Sequence, residues 1–107
     1  MPLKIISPTS RERKRYLLVQ VEADTNRTAL ENSIVNAGLQ FLGELGMGKS
    51  GMQVLGETYN GKTVVVRTGH KYVDETKAAI SLINSIDNRK ARLSVVKVSG
   101  AIKNLKQ

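Results

Sequence analysis

The stretch Gly43 to Ser50 reads GELGMGKS and satisfies G-x-x-x-x-G-K-[ST], the pattern of a phosphate-cradling loop. Such a loop places glycine amides between the tip of a strand and the start of a helix, so that N–H groups and the helix dipole converge on phosphate. Here the order is reversed. A long segment of helical period precedes Gly43, and a short strand-like run with an Asn-Gly pair follows Ser50. The stretch therefore falls where helix carbonyls end, which repels an anion. It reads as a glycine-rich stop to a helix, and no bound nucleotide is expected.

Other reactive constellations are missing. His70 is the single histidine, it stands in a glycine-containing stretch, and no cysteine accompanies it. A lone loop histidine reads as a surface or capping residue. Asp74 and Glu75 are adjacent on a helical segment, so they diverge by about 100° and form no acid/base pair. No catalytic residue, metal site or bound cofactor is expected. The lack of cysteine rules out a disulfide framework and thiolate zinc, and suits a reducing compartment. No apolar run approaches the roughly 18 residues of a membrane span, so no membrane partner is expected and the cytoplasm is the expected location.

Charge is more informative. Over 107 residues the net is +8, from 17 Lys and Arg against 9 Asp and Glu. Residues 1–15 hold five bases and one acid, residues 89–107 six bases and no acid, and residues 16–88 six bases against eight acids. Both ends carry the surplus. Termini of a compact domain often lie close together, so the two runs form either one polyanion-binding patch or a pair of solvated tails.

The elements that must position these groups can be read in order. Residues 1–10, with both prolines, predict an extended arm. Residues 11–100 form one domain, and 101–107 a basic tail able to make a helical turn or two. Leu17, Val19 and Val21 alternate with Tyr16, Leu18 and Gln20 on a first strand. Thr28-x-x-Glu31 fits a capping box ahead of a helical stripe through Leu30, Ile34, Ala37 and Phe41. Met52 to Thr58 and Thr63 to Arg67 read as a hairpin, with Asn60-Gly61 as its type I′ turn. Val73, Thr76, Ala79, Ile80, Ile83 and Ile86 recur at helical spacing on a second helix, which Asp87-Asn88 ends. Leu93 to Val98 is the last strand.

Strand, helix, strand, strand, helix, strand predicts an α+β two-layer sandwich of the ferredoxin-like, split β-α-β kind, with both helices on one sheet face. The more apolar parity would bury Leu17, Val19, Val21, Val64, Val66, Val96 and Val98. The other face would then show Tyr16, Leu18, Val65, Leu93 and Val95 beside Arg67 and Lys97, an apolar patch that suits a protein partner. RNA-recognition motifs share this architecture and stack bases on aromatic rings of the central strands. Lys62 to Arg67 carries no ring, and the first strand offers only Tyr16. Nucleic-acid contacts are therefore expected at phosphates, through Arg11, Arg13, Lys14, Arg15, Arg89, Lys90, Arg92 and Lys97.

Several blocks, in order and spacing, resemble archaeal ribonuclease P protein component 2. They are Arg13-Lys14-Arg15-Tyr16-Leu17, Gly43-Glu44-Leu45-Gly46, Val64-Val65-Val66-Arg67, Tyr72-Val73 and Val98-Ser99-Gly100-Ala101-Ile102. The resemblance spans about residues 11–104. It implies a non-catalytic subunit of the ribonucleoprotein that removes the 5′ leader from precursor tRNA, an RNA subunit performing the hydrolysis with bound magnesium, and a protein partner, ribonuclease P component 3, in an assembly with two copies of each. A generic basic RNA- or ribosome-binding domain of the same fold is the alternative.

Overall fold

A computed structural model describes residues 13–105 and Gln107; the expected arm and Arg11 lie outside the described residues. The elements run β1 (Lys14–Ala23), α1 (Arg27–Ser50), β2 (Gln53–Leu55), β3 (Thr63–Gly69), α2 (Val73–Ser81), β4 (Ser85–Ile86) and β5 (Arg89–Ser99). Short 3-10 turns occupy Gly56–Thr58, His70–Tyr72 and Ile102–Asn104. The sheet has the order β2-β3-β1-β5-β4, every neighbouring pair antiparallel. The expected ferredoxin-like sandwich is present, with β4 as an added edge strand. Among the described residues no helix is long and apolar enough to cross a membrane.

Both helices cover one face. Leu17, Val19 and Val21 of β1 and Val64 and Val66 of β3 pack with Leu30 and Ile34 of α1 and Ile80 of α2 in one buried cluster. A fully buried hydroxyl pair, Thr76 Oγ1 to Thr68 Oγ1 at 3.0 Å, ties α2 to β3.

Strand β5 departs from the expected parity. Leu18 faces Lys97 while Val19 faces Val95, so Val96 is an extra residue with no partner on β1. Such a bulge turns the strand over. On its N-terminal side Leu93 and Val95 face the helices and join the main core, and Val96, expected inside, is 53% exposed. Leu93 and Val95 thus do not belong to the open face.

Local signals were displaced in three places. Asn26, rather than Thr28, caps α1, its Oδ1 accepting from Ala29 N–H at 2.9 Å, and Glu31 instead accepts from Arg27. Thr58 ends the β2 ladder early: its hydroxyl donates to Leu55 O at 2.6 Å and accepts from Val65 N–H at 2.8 Å. Asn60 then makes a side-chain turn, accepting from the N–H groups of Lys62 and Thr63, and only Gly61 has positive φ. The two-residue turn with both φ positive is Asp87-Asn88, at 52° and 64°, joining β4 to β5. Helix α2 correspondingly ends at Ser81, and Ile86, on the helical spacing, is buried from a strand.

Candidate nucleic-acid interface

The pairing of β1 with β5 decides where the basic residues go. Tyr16 faces Ser99, and Ala23 faces Ala91. Arg13, Lys14 and Arg15 therefore stand beside the end of β5, and Arg89, Lys90 and Arg92 beside the end of β1, about 23 Å away along the strand. The expected single patch is divided because antiparallel pairing sends the start of β5 to the opposite edge of the molecule. Only the last part of the 89–107 run, from Lys97 onward, returns toward Arg15.

The two ends differ electrostatically. The distal end mixes signs: Arg92 faces Glu22, Arg89 Nη1 lies 2.5 Å from Asp24 Oδ2, and Arg27 Nε lies 3.4 Å from Glu31 Oε2. The last two are the ion pairs formed among the described residues, and both are distal. At the proximal end no described acid pairs with Arg13, Lys14 or Arg15. Asp74 and Glu75, in the first turn of α2, are the acids nearest along the chain to His70 and Lys71.

The proximal end also gathers bases that sequence reasoning did not assign. Residue His70 donates its N–H to Arg13 O at 2.9 Å, which sets His70 and Lys71 beside the start of β1. The space beside Gly51 is taken by Lys14 Nζ, 3.0 Å from where a Cβ would stand. That places the ammonium by the carbonyl end of α1, where a cation is favoured, with Lys49 two residues away. Arg15 lies against Gly100. Arg67 faces Tyr16 across β1 and β3 and donates to Gln53 Oε1. Strand parity put Arg67 on the face of Tyr16, and the β1–β3 register makes the two direct neighbours.

The sheet face away from the helices is not open as expected. Leu18 and Val65 are 8% and 1% exposed because Leu105 packs on them, with Tyr16 and Leu55 at the margin. Lys97 Nζ donates to Asn104 O at 3.0 Å, and Gln107 Nε2 donates to Thr58 O at 2.7 Å. The expected tail is thus a strap over the sheet.

The phosphate-loop pattern does not build a phosphate loop. Gly43, at φ 75° and ψ 171°, interrupts α1, and residues 44–50 resume the helix until Gly51 closes it in the left-handed region. Ser50 is fully buried; its hydroxyl donates to Met47 O at 3.0 Å and accepts from Met52 N–H at 3.2 Å. The oxygen a nucleotide-bound metal would need is spent on ending a helix. Among the described residues no cluster of three potential metal ligands occurs.

The model of the Rpp14/Pop5 family, a ribonuclease P protein family, matches residues 15–107. No curated protein matches the chain. A chain in the cryo-electron microscopy structure of yeast ribonuclease MRP superposes with a TM-score of 0.70 at 17% identity, covering 90% of this chain and 80% of that one. At that identity the likeness shows the fold.

Proposed function

We propose a function that proceeds from one premise: this chain belongs to the Rpp14/Pop5 family of ribonuclease P proteins. It is a non-catalytic protein subunit of ribonuclease P, a part of a ribonucleoprotein that holds RNA. Its role is to bind and support the RNA that removes the 5′ leader from precursor tRNA, with hydrolysis and magnesium on the RNA. The observation that carries the placement of that RNA is the division of ion pairs, which leaves Arg13, Lys14 and Arg15 facing solvent or backbone while Arg89 is matched to Asp24. Phosphates are therefore met at the proximal end, with a contribution from Lys97. Lys90 and Arg92 are secondary contacts.

The protein partner is ribonuclease P component 3, two copies of each in the assembly, and the compartment is the cytoplasm. With Leu93 and Val95 in the core and Leu18 and Val65 under the strap, the partner's surface is better supplied by α1. Phe41 and Leu45 there are 46% and 72% exposed.

The test is cleavage of precursor tRNA by the ribonuclease P RNA at graded magnesium, with and without this chain and component 3. The proteins lower the magnesium required. Unchanged magnesium dependence, or failure of component 3 to co-purify, would overturn the assignment of partners and role.

A further inference from the structure

The strap covers a surface with its own chemistry. On the sheet face away from the helices, β1 presents Tyr16 and Leu18. Arg67 faces Tyr16 from β3, and Lys97 faces Leu18 from β5. Directly opposed residues on one face lie about 5 Å apart and diagonal ones about 7–8 Å, so the Tyr16 ring has Arg67 beside it and Lys97 on the diagonal. Neither cation is matched to an acid among the described residues. Arg67 Nε is buried with no hydrogen-bond partner among the described residues, so its guanidinium is incompletely satisfied by the protein itself. Among the described residues Lys97 donates to the Asn104 carbonyl of the strap, and Tyr16 packs at the margin of the cluster around Leu105.

We propose that this face is a masked site for one unpaired nucleotide of RNA, with residues 101–105 and Gln107 as its gate. The Tyr16 ring is the stacking surface for the base; Arg67 and Lys97 take the flanking phosphates. Stacking on a single ring tolerates any base, and the cations make binding salt-dependent. Lifting the strap performs two changes at once: it uncovers the ring by removing Leu105, and it releases the Lys97 ammonium from Asn104. Among the described residues the anchors are few: Leu105, the Lys97 contact, Ala101 and Asn104 on Ser99, and Gln107 on Thr58 and Thr63. Short segments held by few buried contacts open locally far more readily than the core. This site rests on the scaffold reading and adds a contact with an unpaired nucleotide that proximal phosphate binding does not require.

The test uses a labelled oligouridylate of nine nucleotides in a fluorescence anisotropy titration at low salt, with ribonuclease P RNA titrated in parallel. The full chain is compared with a variant ended at Gly100 and with a full-length double variant, Leu105→Ala and Gln107→Ala, which keeps the strap's charges. Both variants bind the oligomer at least about fivefold more tightly than the full chain. The truncated one does so despite losing Lys103 and Lys106. Adding Tyr16→Leu removes the gain and Tyr16→Phe keeps it, a split that a packing role for Tyr16 would not produce. No gain in variants that remain folded by circular dichroism and still bind ribonuclease P RNA overturns the gated site and leaves the scaffold reading in place. Absence of binding to either RNA by the full chain and both variants overturns both.

Discussion

Arg89 and Asp24 meet at 2.5 Å, at the end of the sheet farthest from Arg15. Both side chains are largely exposed, so the pair contributes little to stability. Its consequence is for binding, because a guanidinium matched to a carboxylate displaces fewer counterions from RNA than an unmatched one. Replacing Lys14 or Arg15 by alanine is expected to flatten the slope of log affinity against log salt by about 0.7–0.9 per residue. Arg89→Ala flattens it by clearly less. Titrations with ribonuclease P RNA at several salt concentrations measure this, and equal slopes for all three variants would return the RNA to both ends of the sheet.

The bulge at Val96 gives a second expectation. Val95 packs against the main core, whereas Val96 is 53% exposed. An aspartate at Val95 leaves an unpaired charge among apolar neighbours and costs about 3 kcal/mol or more. At Val96 it changes stability by no more than about 0.5 kcal/mol. Urea unfolding of the two variants reads the difference directly. The reverse order would restore the unbroken alternation along β5.

How far the sequence disclosed this fold depends on the range of the interaction involved. Element order and the parity of β1 and β3 were legible because Leu17, Val19, Val64 and Val66 obey a period of two within single strands. The parity of β5 was not, since the skip at Val96 exists only in register against β1. Turn signals failed for a related reason. Asn60-Gly61 has the preferred residues, but the Asn60 side chain takes the Lys62 N–H that a two-residue turn would have used. Asp87-Asn88 adopts the expected geometry without a glycine. In the candidate interface, Arg13, Lys14 and Arg15 were visible as a run. The shared face of Tyr16, Arg67 and Lys97 was legible from strand parity, whereas the meeting of Arg89 with Asp24 follows from strand pairing alone.

Ser50 and Lys49 separate the motif from its usual meaning. In a phosphate loop both would matter for ligand and neither much for folding. Here Ser50 is fully buried and bonded at both its donor and acceptor positions, and Lys49 is exposed. Ser50→Ala is expected to lower stability by about 1–3 kcal/mol by leaving the Met52 N–H without that partner. Lys49→Ala leaves it within about 0.5 kcal/mol. Chemical denaturation gives both values, and isothermal titration of ATP into the parent protein gives no heat of binding. Measurable ATP affinity lost on Lys49→Ala would overturn the helix-end reading.

Gly38 and Gly43 lie on one helix and are required for different reasons. At Gly43 nothing stands within 4 Å of an added Cβ, so a side chain meets no neighbour; the obstacle is backbone conformation, φ 75° with ψ 171°. An alanine there costs about 1–3 kcal/mol and straightens or shifts the break. At Gly38 the backbone is helical, but a Cβ would stand 2.6 Å from the Met47 sulfur and 2.8 Å from the Met52 methyl. Both atoms end flexible side chains that can move, and alanine gains about 1 kcal/mol of helix propensity over glycine. The two effects oppose, so Gly38→Ala is expected to change stability by less than about 1 kcal/mol. Because the break at Gly43 folds residues 44–50 back so that Met47 reaches Gly38, Gly43→Ala also frees Met47. The double variant should therefore cost less than the two single costs added together. Thermal or urea unfolding of the three variants measures that coupling, and strict additivity would show that the fold-back of Met47 onto Gly38 does not depend on the break.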